Sequence, residues 1–336
     1  AEMLSKGEYQ VALRLYREAE EVFGEGLFDY NIKLCQDNIG SSQDSRESIL
    51  NDYFDHVYVV NMEHQAANRI KVLNQLQKAK INYELFSATN GYEGEPLQKW
   101  NWYKDQPLGN LKRYPQLNER EISRGKKFIE SAGAVGYIYT YLRILKDAKT
   151  RGFGRILILE DDIILANNFE EKVQHFLSSL PEDWKVLQFG ASQYGWESFE
   201  LDTAARDGFY KPRMLETTGS FAIAFDVSIA DELIEAEEAF ESPFDLLPMG
   251  EMYEKYLGKC FVAYPNIVMP DVADSSIRGG RCQYEHSKKV KWNVDNFVYP
   301  YPKPSLALVV SNKSNLKYLS NFSKPQNASI DLRLYK

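Results

Sequence analysis

Arg155 to Phe169 constrains this chain more than any other stretch: Arg-Ile-Leu-Ile-Leu-Glu-Asp-Asp-Ile-Ile-Leu-Ala-Asn-Asn-Phe. Ile156, Leu157, Ile158 and Leu159 form a short apolar run between a Gly-containing turn and polar residues, the pattern of a β-strand buried on both faces. Such a strand predicts an α/β fold with helices covering the sheet. Glu160, Asp161 and Asp162 then stand where the strand leaves the sheet, and ligands of open α/β sheets collect outside those carboxyl ends.

Three adjacent carboxylates are costly there unless solvent or a cation compensates, because like charges within a few Å disfavour ionisation. In an extended segment residues i and i+2 point the same way, so Glu160 and Asp162 share one face and Asp161 takes the other. Hard oxygen ligands in small number suit Mg²⁺ or Mn²⁺, with bound phosphates completing the shell. The implied substrate is a nucleotide diphosphate. The competing reading is a solvated acidic turn or a helix cap.

The chain of 336 residues is long enough for one large α/β domain or two smaller ones. Its net charge of −8, with no long basic run, argues against nucleic acid as the main partner. No stretch reaches the roughly 18 consecutive apolar residues needed to span a bilayer. Cys35, Cys260 and Cys282 are odd in number, widely separated and without metal-ligand spacing, which predicts reduced thiols and a cytoplasmic location, peripheral to an inner membrane at most. The chain opens with Ala1 already in a helical pattern, so a piece of something longer, with neighbouring modules, is expected.

Along the chain, Tyr9, Ala12, Leu13, Tyr16 and Ala19 fall on one helical face, and a second helix is expected from about Leu27 to Cys35. This small helical hairpin resembles one tetratricopeptide unit, which cannot bury its apolar face alone. With its linker it fills residues 1–48. A βαβ start follows: strand His56–Asn61, helix Ala66–Ala79 with Ile70, Leu73 and Leu76 inward, and strand Tyr83–Ala88 closed by Asn90-Gly91. Gly94–Lys127 reads as an inserted loop with short helical turns. A helix opened by Gly133-Ala-Val-Gly136 leads into the acidic strand. Further strands are expected over Asp183–Gly190, Thr218–Phe225 and Lys259–Tyr264. The helix Ile229–Phe240 carries acids, Glu237 among them, that read as a solvated face. The main domain is set at 49–300, and a C-terminal extension at 301–336.

The ordered series Val57-Tyr-Val-Val-Asn-Met62, Asn68-Arg69, Phe86-Ser-Ala-Thr-Asn-Gly91, Gly133-Ala-Val-Gly136, Leu157-Ile-Leu-Glu-Asp-Asp162, Asp183-Trp184 and Pro270 with Ser275-Ser-Ile277 resembles glycosyltransferase family 25. The resemblance covers roughly residues 54–295. It implies a GT-A-like, Rossmann-type nucleotide-sugar-binding domain with a mostly parallel central sheet, a UDP-sugar donor, a divalent cation (Mn²⁺ or Mg²⁺) and inversion at the anomeric carbon. One departure stands out. Where that family has Gly-Cys-x-x-Ser-His, this chain has Gly136-Tyr-Ile-Tyr-Thr140-Tyr141.

The resemblance also distributes roles. Glu160 with Asp162, or Asp161 with Asp162, hold the metal, and His286 is a further candidate ligand. Asn61 and Arg69 meet the nucleotide, Arg69 offering a forked donor to phosphate. Ala88, Thr89 and Gly91 admit the uracil or ribose, and Gly136 and Thr140 lie on the helix lining the donor pocket. Gly219 and Ser220 contact the donor sugar, and Arg278 in a polar loop faces the diphosphate. Asp245 is the general base, with Glu251 next. The expected activity is transfer of a hexose, galactose favoured, from a UDP-sugar to a saccharide or lipid-linked saccharide in bacterial capsule, O-antigen or lipooligosaccharide synthesis. The rival is a catalytically silent scaffold that binds a partner enzyme, with Tyr141 as its support.

Overall fold

The computed structural model describes residues 9–23, 31–33, 35, 47–272 and 283–297. Helix α1 (Tyr9–Phe23) presents Ala12, Leu13, Tyr16 and Ala19 on its more buried side, as the periodicity requires, and leaves Leu15 exposed. Most of the expected second helix and the whole C-terminal extension lie outside the described residues.

The apolar runs become strands β1 (His56–Asn61), β2 (Glu84–Ser87), β3 (Arg155–Glu160), β4 (Ile163–Leu165), β5 (Val186–Gln188), β6 (Ser192–Gln193), β7 (Phe209–Tyr210), β8 (Thr217–Thr218), β9 (Ala222–Asp226), β10 (Cys260–Ala263) and β11 (Val268–Pro270). Seven of them form one sheet in the order β2-β1-β3-β9-β5-β10-β7. The pairings β1 with β2, β1 with β3 and β5 with β10 are parallel. Strand β9 runs antiparallel between β3 and β5, and β7 closes the edge antiparallel to β10. Five strands therefore share a direction, the mostly parallel GT-A-like sheet anticipated. Interior β3 is buried over Ile156–Leu159, whereas edge β2 alternates.

Helix α2 (Ala66–Lys78) bridges β1 and β2. Its inward stripe is Val72 and Leu76, and Ile70, expected inside, is 52% exposed. The inner face instead carries Gln75, whose amide donates to Ile163 O at 2.8 Å and accepts from Leu165 N at 3.0 Å. That side chain fixes the rotation of the helix and holds β4 against it. The inserted segment is more ordered than its weak periodicity suggested, with helix α3 over Gly94–Lys104.

Helix α4 (Ala132–Arg151) starts at Ser131, whose hydroxyl accepts from Ala134 N at 3.1 Å. Its Tyr141, Ile144, Leu145 and Ala148 pack with Tyr58, Ile156, Ile158, Ile223 and Phe225 from the sheet. Helices α5 (Phe169–Ser178), α6 (Ala230–Glu238) and α7 (Leu247–Lys255) follow. Asp231, Glu235 and Glu238 of α6 are exposed, as expected of a solvated face, and Glu237 is the exception. Glu238 pairs with Lys146, Asp231 with Lys149 and Glu235 with Arg113. Glu237 is 1% exposed. Burial, then the Asp245 charge, raises its carboxyl pKa well above the usual range. Helix α8 (Gln283–Lys289) is the last α-helix among the described residues, and a 3-10 turn at Val294–Asn296 follows it. Among the described residues no helix is long and apolar enough to cross a membrane.

Candidate active site

Strand β3 ends at Glu160, at the carboxyl end of the parallel strands, and each of the three acids meets different partners. Glu160 is fixed by β9 and its approach: its N–H donates to Phe221 O at 2.9 Å and its Oε1 accepts from the Ser220 hydroxyl at 3.0 Å. Asp161 turns toward β1, where Asn61 Nδ2 donates to its carboxylate. Arg69 Nη1 lies 3.4 Å from Asn61 Oδ1, so arginine, amide and carboxylate form a chain across the β1–β3 exit. Asp162 begins the turn into β4, and its carbonyl accepts from Asp271 N at 2.6 Å. Its Oδ1 is buried with no hydrogen-bond partner among the described residues.

The electrostatics follow from this crowding. Burial, reinforced by the charge of Asp162, pushes Glu160 up to about 8. Burial, reinforced by Asp161 and Asp271, pushes Asp162 up to about 7. Burial also raises Asp161, opposed by hydrogen bonds from Asn61 and Asn68. An acidic turn free in solvent has no such shifts. All three residues nevertheless remain partly open to solvent.

Asp245 is brought to the same place by the connection between α6 and α7, against the residues that lead into β9. Its Oδ2 accepts from Gly219 N at 2.8 Å, and its charge raises Glu160. Gly219 sits at φ +91°, a left-handed conformation that suits glycine, and its carbonyl accepts from the buried Gln188 amide. Ser220 Oγ, besides holding Glu160, meets the Tyr137 hydroxyl, and Ser220 O accepts from Tyr141 at 3.0 Å. Tyr141 is fully buried and lies against Phe244 with ring centroids 4.3 Å apart. The position where the resemblance expects a histidine is thus a core tyrosine that orients the Gly219–Ser220 backbone.

Gly91 and Gly136 serve a close crossing of backbones. A Cβ on Gly91 would stand 1.8 Å from Ala132 O, and one on Gly136 would stand 2.6 Å from Thr89 O. Thr140 Oγ1 accepts from Thr89 N at 2.9 Å and donates to Gly136 O at 2.8 Å, latching the Ala88–Gly91 turn to α4. These four residues shape the wall beyond β2 rather than offering it free polar groups.

Two candidates lie elsewhere. Glu251 receives Arg113 Nε at 2.8 Å, Arg113 Nη2 at 2.7 Å and the Tyr114 hydroxyl at 2.8 Å. The Arg113 hydrogen bond holds its carboxyl below the usual range, so it anchors the inserted segment to α7. His286 is buried beside aromatic rings, 5.4 Å from Trp292 and 6.1 Å from Tyr194 between centroids. Arg278 lies outside the described residues, as do Asp274, Ser275 and Ser276.

Among the described residues no three His, Cys, Asp or Glu side chains converge to form a metal site by themselves. The unpartnered Asp162 oxygen and the crowded neighbouring carboxylates nonetheless suit a divalent ion that takes only one or two protein ligands and completes its shell with phosphate and water. Tyr137 and Gln188 are site residues to which the sequence assigns no role, and Asn68, part of the Asn68-Arg69 motif, adds a hydrogen bond to Asp161. Tyr137 and Tyr141 are four apart on α4, and Gln188 is a polar residue inside a buried strand, signals visible in retrospect.

The model of glycosyltransferase family 25 (LPS biosynthesis protein) matches residues 54–222. The chain belongs to glycosyltransferase family 25. The matched stretch of this family 25 domain contains Asn61, Arg69, the acidic triplet, Gly219 and Ser220, and ends before Asp245, Glu251 and His286. Among curated proteins it is similar to procollagen galactosyltransferase 2 of Mus musculus, 20% identical over 140 residues, 41% of this chain and 21% of that one. The Homo sapiens protein of that name matches at 20% over 140 residues, with the same coverage. The Homo sapiens inactive glycosyltransferase 25 family member 3 is 22% identical over 143 residues, 42% of this chain and 22% of its own length. The match spans about a fifth of the length of these relatives.

Proposed function

We propose that the chain transfers a hexose, galactose favoured, with inversion from a UDP-sugar to a saccharide acceptor in bacterial surface-polysaccharide synthesis. The observation that carries this reading is the pair Glu160 and Asp162, half-buried at the sheet's carboxyl end with an acceptor oxygen left unpartnered. Asn61 and Arg69 bind the nucleotide side, Arg69 turning its guanidinium to phosphate. Asp162, with Glu160 or Asp161, would hold Mn²⁺ or Mg²⁺, which acts there as a Lewis acid on the departing diphosphate.

Asp245 is the base in this reading. It takes the acceptor hydroxyl proton as the new oxygen–carbon bond forms at the anomeric carbon and the bond to the diphosphate breaks, UDP leaving with the electron pair. Gly219 N–H orients its Oδ2, fixing the carboxylate beside the Gly219–Ser220 backbone. Gly219 and Ser220 define the sugar's floor, kept in place by Tyr137 and Tyr141. The division into residues 1–48, 49–300 and 301–336, with a tetratricopeptide-like hairpin first, belongs to the same proposal.

Transfer of radiolabelled galactose from UDP-galactose with Mn²⁺ tests it. Asp162→Ala should lower turnover by 100-fold or more, and equal turnover in the variant refutes the metal assignment. A second reading, a silent scaffold, is favoured by Tyr141 in the expected histidine position and by similarity to a relative named inactive. Calorimetry with UDP separates the two: a scaffold takes up no UDP with or without Mn²⁺.

A further inference from the structure

Two cavities that flank Trp196 play no part in the chemistry above. One, of about 350 Å³, is lined by Trp196, Tyr264 and Trp292 together with three carboxamides, Asn266, Asn293 and Asn296. The other, of about 580 Å³, runs along the opposite side of Trp196 past Tyr194 to Lys289 and Lys291. Both sizes fall within the range of small-ligand sites.

The construction is specific. The Trp196 indole N–H is buried with no hydrogen-bond partner among the described residues. That atom is closed to solvent in this conformation, so it marks a cost of packing the ring and not a donor offered to the cavity. Asn266 is oriented by donating to Ala191 O at 3.2 Å, and Trp292 Nε1 donates to the same carbonyl at 2.8 Å. Lys291 adopts the left-handed backbone, φ +56°, that ends α8, with Trp292 N donating to Ser287 O at 2.8 Å, and its ammonium lies 5.3 Å from the Trp196 ring centroid. Lys289 lies 5.5 Å from the Tyr194 ring.

Aromatic faces with carboxamides beside them match a pyranose, whose C–H face stacks while its hydroxyls take hydrogen bonds from amides. The lysines add a charge requirement. Lys288, Lys289 and Lys291 make a basic cluster in a chain of net charge −8, and only the single carboxylate of Glu197 lines the cavity with Lys289 and Lys291. We infer that the two cavities around Trp196 form an acceptor-side saccharide site that selects a sugar bearing an acidic group, its carboxylate or phosphate held by Lys289 and Lys291. Trp292 ties the cavity to the sheet: its ring meets Phe221 edge-on at 5.8 Å, and Phe221 O accepts the Glu160 N–H. Its role as an acceptor site rests on the glycosyltransferase reading, whereas its binding of an acidic saccharide does not.

The test follows the indole N–H resonances of the five tryptophans in the ¹⁵N-labelled chain, with 3′-sialyllactose and lactose as a matched acidic and neutral pair. Trp196 and Trp292 should shift with sialyllactose while Trp100, Trp102 and Trp184 stay in place, and lactose should bind at least tenfold more weakly. The double variant Lys289→Gln/Lys291→Gln, checked for an unchanged unliganded spectrum, should bring sialyllactose down to the lactose level and leave UDP binding unchanged. Absence of any Trp196 shift at millimolar sugar, shifts at Trp100 and Trp102 instead, equal binding of the two sugars, or full sialyllactose binding by the double variant each overturns the inference. UDP binding without saccharide shifts defeats this site alone. Saccharide shifts without UDP binding defeat the transferase reading alone.

Discussion

Among single residues, the site depends on side chains that touch no reacting atom. Tyr141 donates to Ser220 O from a fully buried position, so Tyr141→Phe leaves that carbonyl unpaired and should cost about 1–3 kcal/mol in urea denaturation. Gly136→Ala places a methyl against Thr89 O and Gly91 N and should cost about 1–3 kcal/mol. Because the same contact carries the Ala88–Gly91 turn, UDP affinity should fall with stability; a Gly136→Ala protein with unaltered melting and UDP affinity would contradict the close-crossing assignment. The acidic triplet was legible because a strand exit followed by three acids is a local pattern. Glu237 was not, since the helical spacing that puts it among solvated acids says nothing of what covers it from outside its own helix.

At the scale of elements, periodicity located β1, β3, α4 and α6 within a few residues, whereas the two-residue strands β6, β7 and β8 carry no periodic signal. The rotation of α2 was misread because Gln75, a polar residue, takes an inward position to pair with β4. The inserted segment with α3 looked loop-like because its order comes from a distant element, through Arg113 to Glu251 and from Glu241 to the 112–114 backbone. Arg113 depresses the Glu251 pKa, so the stabilisation is present above the ordinary glutamate range and is lost as pH falls through the lowered value. Glu251→Gln should therefore flatten the acid limb of the stability curve below about pH 4.5 and lower stability at pH 7 by about 1–2 kcal/mol. It should leave turnover near the parent's when the fold is held. Loss of turnover in a fully folded Glu251→Gln protein would return that residue to the chemistry.

For the whole molecule, the fold gathers acids from separate elements: the triplet at the end of β3, Asp245 before α7 and Asp271 after β11. Sequence alone supplied the triplet, Asp245 and the family pattern but neither Asp271 nor the convergence, which depends on a strand order that crosses and recrosses the sheet. Glu160 and Asp162 titrate above their ordinary values, so the folded state holds more protons than the unfolded one between about pH 4 and pH 8. The metal-free chain should accordingly be most stable, on this account, at the acid end of that window and lose stability as pH climbs through 7 to 8. Mn²⁺ should restore the melting temperature at pH 8 and have little effect at pH 5.5, where the ligands are protonated.

Titration calorimetry of UDP with the wild-type chain and with Asp162→Ala, each in Mn²⁺ and in EDTA, addresses the acidic strand end directly. The expected result is UDP binding by the wild type in Mn²⁺ that weakens at least tenfold in EDTA and at least tenfold in the variant. Equal UDP affinity under all four conditions, or none in any, would contradict it.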